Sequence, residues 1–370
     1  MAAITLQKIN VYDTDAKCFR RGALEMENGI LRGVRYTGDA DASLDYAVPG
    51  LVDVHTHGRC GHDFVGSTAE EMRFMRREYA KVGTTTVMAS MATASPETYL
   101  KTIDAIKEAG YDGVHIEGRY LNPLRKGAHS ESLLHNLDCA ELSMLLERIH
   151  PLAAHITAAL EMEGGKAFVE CALAHGATIG LGHTDATYEQ AIEALEWGAS
   201  SFTHTFNAMS PLHHRKPGCV TASLSTDAYS EFICDGHHIA PPVVRLSWMA
   251  KRHDRFVLIT DSMMATGCTG GSYSIGALDG VTIKDGVALL PDGTIAGSII
   301  NLRDGLMNLV DFAGCTLEEA LPAATINPAR MVGLDERVGS LEEGKRADVL
   351  LLSPDRCTLK AVYAAGEILE

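Results

Sequence analysis

The sequence predicts a (β/α)8 TIM barrel carrying a small β domain, on three observations. Between residues 49 and 330, apolar β-type runs alternate with stretches of helical periodicity, the signature of repeated βα units around a parallel sheet. Eight such runs occur, the number a closed barrel needs. Both ends of the chain, 1–48 and 331–370, are instead short apolar segments broken by turn signals, which suits one small domain built from the two termini. An open doubly wound sheet stays possible, because counting strands does not prove closure.

At the N-terminal end the apolar segments are Ile4–Val11, Leu24–Met26 and Ile30–Val34, with Glu27-Asn28-Gly29 as a hairpin turn. The strand candidates of the middle region are Leu51–His55, Thr84–Ser90, Gly113–Glu117, Ile156–Glu161, Ala177–His183, Ser200–His204, Glu231–Asp235 and Arg255–Asp261. Helical spacing of apolar residues marks Ala69–Lys81, Pro96–Glu108 and Tyr188–Trp197. A hairpin insertion is expected near 273–298. Three turn signals follow one another there: Asp279-Gly280, Lys284-Asp285-Gly286 and Pro291-Asp292-Gly293. After residue 330, Ala347–Leu352 and Ala361–Tyr363 with Gly366 read as strands and a turn.

Composition narrows the function. The 370 residues are 46% hydrophobic and 22% charged, an ordinary globular balance. Lys plus Arg number 32 against 48 Asp plus Glu, a formal charge of −16, which repels nucleic acid and anionic lipid. One small anion held by a few local cations remains compatible with it. The segment Met1–Asp13 has no cationic region followed by an apolar stretch, so no secretory leader is expected. No apolar run approaches the ~20 residues that span a bilayer. Nine scattered cysteines without CxxC pairs read as reduced thiols, and a cytoplasmic location is expected. No GxGxxG follows the first strand and no GxxxxGK[ST] occurs, so dinucleotide and P-loop readings have no support.

The polar residues at the strand ends carry the chemistry. The first strand ends in His55-Thr56-His57, and residues i and i+2 of a strand share a face, so both imidazoles project together. Alone, this pair is a weak signal, and satisfied surface or core histidines would account for it better. Glu117, His183, His204 and Asp261, however, each end a different strand candidate, at the face where barrel enzymes place their sites. Such a set suits one or two divalent metal ions, Zn2+ first, with Fe2+, Co2+ or Mn2+ accepted by the same ligands.

His55-Thr56-His57, together with Asn327-Pro-Ala-Arg and Val338-Gly-Ser-Leu-Glu-Glu-Gly-Lys-Arg-Ala-Asp348, resembles the motifs of the amidohydrolase superfamily. Nearly end to end, the chain is similar to its N-acetylglucosamine-6-phosphate deacetylases. The closest stretches are His115-Ile-Glu-Gly, Leu121-Asn-Pro, Lys126-Gly-Ala-His129, Gly182-His-Thr-Asp, His204-Thr-Phe-Asn-Ala-Met209, Arg215-Lys-Pro-Gly218, Asp235-Gly-His-His238 and Thr260-Asp-Ser. The resemblance implies a barrel with a small β-sandwich from both termini.

It also implies roles. Glu117, His183 and His204 match the principal metal ligands, and His55 and His57 match a second metal position, with Glu117 bridging the two. Asp261, beside the metals, matches the catalytic aspartate. Amide cleavage needs a strong nucleophile and a protonated leaving amine. A metal lowers the pKa of water from ~15.7 to roughly 7, and a carboxylate accepts that proton and passes it to the nitrogen. His129 matches a residue near the acetyl carbonyl. Arg215 and His238 match phosphate contacts, often supplied across a homodimer, and backbone amides near Asn207 and Ala208 add donors. One departure stands out: Arg119 occupies a position where the family commonly has proline, so this cation is expected to reshape the loop or to touch the substrate.

The implied reaction is hydrolysis of N-acetylglucosamine 6-phosphate to glucosamine 6-phosphate and acetate. Its closest rival is the galactosamine epimer. A cyclic-amide hydrolase would favour a lysine late in strand four, which Ile156–Glu161 lacks. A non-catalytic sugar-phosphate sensor would not need the metal-ligand set.

Overall fold

The computed structural model describes residues 3–369. Eight parallel strands form its largest sheet: Leu51–Thr56, Thr84–Met91, Gly113–Glu117, Ala153–Ala158, Thr178–Leu181, Ser201–Phe202, Tyr229–Ile233 and Phe256–Ile259. Each is followed by a helix: Ala69–Lys81, Pro96–Ala109, Cys139–Ile149, Gly165–Ala174, Tyr188–Trp197, Cys219–Ser225, Pro241–Ala250 and Leu302–Ala313. The seam between the first and eighth strands closes just past the eighth. Asp261 N donates to His55 O at 2.9 Å, and His57 N to Ser262 O at 2.7 Å. The open-sheet alternative is thereby removed, and the molecule is a (β/α)8 barrel.

Local chemistry explains the helices. In Ala69–Lys81, Thr68 and Glu71 form a reciprocal cap over the free N-terminal amides, and Met72, Met75 and Tyr79 are buried on one face. Ser95 caps Pro96–Ala109, where Pro96 occupies a position needing no amide donor, and Gly110 ends the helix at φ 77°. Beneath the barrel, Ala329, Met331, Val332, Leu334 and Val338 pack against Val52, Val54, Val257 and Ile259, sealing the face opposite the strand ends.

The termini share one seven-stranded sheet. Its strands are Ile4–Asp13, Cys18–Glu27, Ile30–Asp39, Tyr46–Pro49, Val349–Leu352, Leu359–Ala364 and Glu367–Leu369. Asn28 and Gly29, at φ 51° and 78°, make the two-residue turn that matches strand twist. Ile9, Val11, Leu24, Leu31, Ala347 and Val349 fill the core of this sheet. Main-chain bonds from Leu31 N to Lys345 O and from Ala347 N to Gly29 O draw its two halves together.

Between the eighth strand and Leu302–Ala313 lies a three-stranded sheet of Tyr273–Ile275, Leu278–Lys284 and Val287–Leu289. Asp279-Gly280 makes no turn there. Gly276, at φ 52°, takes the reversal, and Gly280, at φ 84°, sits where the register shifts, as the extra residue of a bulge.

Candidate metal centre and active site

Several strand candidates end earlier than their sequence pattern suggests, and this shapes the site. The fifth, sixth and eighth strands stop at Leu181, Phe202 and Ile259, so His183, His204 and Asp261 lie two residues past them. All three have left-handed backbones, at φ 47°, 30° and 48°. Non-glycine residues avoid this region, and it turns each side chain out of the strand's alternation and into the barrel mouth. Gly297 makes room behind Asp261, because a Cβ there would come 2.7 Å from Asp261 O.

Glu117 stands at the centre. Its Oε2 lies 2.8 Å from His57 Nε2 and 3.1 Å from His55 Nε2, while its Oε1 lies 2.9 Å from His204 Nε2 and 3.4 Å from His183 Nε2. Asp261 Oδ1 is 3.3 Å from His57 Nε2 and 3.5 Å from His55 Nε2. Two sets of potential ligands therefore meet at Glu117: His55, His57 and Asp261 on one side, and His183 and His204 on the other.

The proton positions fit a divalent cation. His183 Nδ1 lies 2.7 Å from Arg125 O, a pure acceptor, so this nitrogen carries the proton and a neutral ring leaves Nε2 bare. His55 Nδ1 lies 3.1 Å from the carboxylate Oε2 of Glu231, which imposes the same tautomer. The bare Nε2 atoms then face His204 Nε2 at 3.1 Å and His57 Nε2 at 3.3 Å, alongside two carboxylates. So many electron pairs converging in a buried space call for positive charge among them.

The carboxylates are poised as anions. Burial raises the pKa of both, but without a bound cation His55, His57 and His204, lifted against burial by these same carboxylates, carry protons and more than reverse it: Glu117 is held well below the ordinary range and Asp261 falls to about 2. His129 behaves oppositely. Burial first, and then the neighbouring His183, push it down to about 3, so its imidazole is neutral at physiological pH.

These groups line one cavity of about 330 Å³, a size suited to a small metabolite. His57, Glu117, His129, His183, His204 and Asp261 form its floor, and Asn207, Ala208 and His238 its side. Asp235 orients His238 through a 2.7 Å contact to Nδ1.

A family model described as the amidohydrolase family matches residues 46–369. The chain belongs to that family. The N-acetylglucosamine-6-phosphate deacetylase of Vibrio furnissii is 33% identical over 89% of this chain and 86% of its own length. An N-acetylgalactosamine-6-phosphate deacetylase of Escherichia coli O157:H7 is also 33% identical, over 85% of each. A solved Mycobacterium smegmatis N-acetyl-D-glucosamine-6-phosphate deacetylase variant, in complex with N-acetyl-D-glucosamine-6-phosphate, superposes with a TM-score of 0.92 at 32% identity, covering 100% of this chain and 99% of that one. This amidohydrolase is a hydrolytic deacetylase.

Two sequence candidates lie outside the cavity of this amidohydrolase. Arg119 does not reach the cavity. Its guanidinium makes a bidentate pair with Glu141, at 2.6 and 2.8 Å, and donates to Leu133 O, so it braces the loop before helix Cys139–Ile149. Arg215 lies outside the cavity lining, on an exposed loop where it contacts His214. Conversely, Arg125 and the Thr294–Gly297 wall line the cavity, and sequence reasoning passed over both. Leu124-Arg125 falls between two of the quoted motif stretches, and the wall lies near the end of the expected insertion, but neither carries a spacing that reads as a ligand.

Proposed function

We propose that this amidohydrolase removes the acetyl group of N-acetylglucosamine 6-phosphate, giving glucosamine 6-phosphate and acetate. The observation that carries this reading is the bridging position of Glu117 beside Asp261 and His129 in a single cavity. Glu117, His183 and His204 would hold one divalent ion, and His55, His57 and Asp261, with Glu117 shared, a second. Zn2+ is the expected metal for so many imidazoles. Such an ion supplies Lewis acidity and a water acidic enough to attack at neutral pH.

The chain's own groups do the rest. Asp261, ionised, accepts a proton from the attacking water. As the amide C–N bond breaks, that proton passes to the departing nitrogen, leaving acetate and a free amine. His129, neutral, presents Nε2–H to the acetyl oxygen as negative charge builds there. Asn207, Ala208 and His238 receive the phosphate end. Because Arg215 lies outside this cavity, it would act on the neighbouring subunit of a homodimer. We assign the enzyme to the cytoplasm, where its free thiols stay reduced.

Metal-loaded protein incubated with N-acetylglucosamine 6-phosphate should release acetate, and Asp261→Asn should lose at least about 100-fold in kcat while still binding metal. No acetate, with metal confirmed, would refute the assignment. The galactosamine epimer is the second reading, favoured by the equally similar E. coli relative. Both epimers assayed in parallel decide the sugar. A fully active monomer in sedimentation would remove the cross-subunit role of Arg215.

A further inference from the structure

Glu231 is a fully buried carboxylate in the seventh barrel strand, Tyr229–Ile233, and the reaction outlined above gives it no task. Burying a carboxylate is costly, so its partners must explain it. One oxygen, Oε2, serves two donors. His55 Nδ1 lies 3.1 Å away, and the His204 backbone amide donates to the same atom at 3.1 Å. The other oxygen, Oε1, has no hydrogen-bond partner among the described residues.

The second of these contacts explains a local irregularity. The sixth barrel strand is only Ser201–Phe202, because the chain leaves the ladder before the left-handed turn at His204. The His204 amide therefore has no strand acceptor, and the Glu231 side chain takes that place. The Glu231 carbonyl accepts from Thr205 N at 2.8 Å, so a single residue grips both 204 and 205. His57 Nδ1 and His204 Nδ1, by contrast, have no partner among the described residues. Glu231 thus touches one member of each ligand set, His55 by its ring and His204 by its backbone, whereas Glu117 joins the two sets at the cavity floor.

We propose that Glu231 is a positioning residue that, through one carboxylate oxygen, fixes the Nδ1–H tautomer of His55 and the backbone turn at His204, so that holding two ions depends on it. The inference rests on the reading that these sets hold divalent ions. A partner on the far nitrogen sets which imidazole nitrogen is bare and where it aims, and losing such partners weakens metal affinity by about 10- to 100-fold.

The test compares wild type, Glu231→Gln and Glu231→Leu after loading with Zn2+ alone and dialysis. Metal per chain is read by mass spectrometry, and affinity by competition with a chromophoric chelator. Wild type should retain two ions. Glu231→Leu should retain one and bind the other about 10- to 100-fold more weakly. Glu231→Gln keeps an acceptor oxygen for both donors and should stay within 10-fold of wild type. In Zn2+-loaded wild type, nitrogen-detected histidine spectra should show His55 protonated on Nδ1. Unchanged stoichiometry and affinity in Glu231→Leu overturns the proposal, as does equal damage from Gln and Leu. If Glu231→Leu fails to fold, a Zn2+-loaded wild type whose His55 carries no proton on Nδ1 still overturns it. A wild type that binds no Zn2+ at all refutes the underlying metal reading, before any variant is made.

Discussion

Thr93 Oγ1 lies 2.7 Å from His129 Nδ1, and this contact decides which face of the imidazole reaches the cavity. A hydroxyl donating to Nδ1 leaves the ring proton on Nε2, the nitrogen that points toward Glu117. Thr93→Val keeps the shape and removes the donor. It should lower kcat about 10-fold with little change in KM, whereas His129→Ala should cost about 100- to 1,000-fold. Steady-state kinetics on both variants decide it, and an unaffected Thr93→Val would separate the tautomer from turnover.

Arg119→Ala is expected to be a stability variant rather than a specificity variant. Its pair with Glu141 is largely buried, and Tyr120 donates to the same carboxylate at 2.9 Å. Removing one partner leaves Glu141 undercompensated, at a cost of about 3 kcal/mol. Thermal melts should show a drop of several degrees, while the preference between the two hexosamine epimers stays at the wild-type ratio. A changed ratio would return Arg119 to the substrate.

Chelation should destabilise the folded chain. Without cations, the two carboxylates draw protons onto His55, His57 and His204 instead, and any divalent ion that binds only the folded state adds stability by mass action. Calorimetry after treatment with a chelator should give a lower Tm that is restored by stoichiometric Zn2+. An unchanged Tm would mean that the site is not linked to folding.

Alkaline pH should erode stability from about pH 9 upward. Burial pushes the Cys219 and Cys234 thiols well above their usual value of 9.0. Above that pH the unfolded chain releases these protons while the folded chain keeps them. Unfolded protein therefore binds fewer protons, and unfolding free energy falls as pH rises, by about 1.4 kcal/mol per unit for each thiol. The contribution is complete below pH 9. Urea titrations from pH 8 to 11 should show the decline, shallower in Cys219→Ala with Cys234→Ala.

The barrel was legible because each βα unit repeats a hydrophobic rhythm that sequence displays directly: Ala69–Lys81 and Tyr188–Trp197 form helices over those very residues. Strand ends were less legible. His204 looked like the last residue of a strand, yet its ladder stops at Phe202, because the turn that aims the side chain depends on the Glu231 carboxylate from another strand. Glu231 itself gave no signal, since an acidic residue at the start of an apolar run reads as a strand boundary. Of the two roles open to Arg119, the structure takes the loop one: a cation two residues from Glu117 in sequence finds its partner 22 residues later, at Glu141.

The left-handed backbones at His183, His204 and Asp261 make these positions the weak points of the fold under a different kind of selection. Each holds a conformation that costs an L-residue about 1–3 kcal/mol, and glycine or asparagine would relieve it. A library passed through rounds of heating, with catalysis never screened, should accumulate those two residues at 183, 204 and 261 ahead of other buried sites. The survivors would be hardier and inert, a record of how much endurance the living enzyme forgoes to keep three side chains aimed at one point.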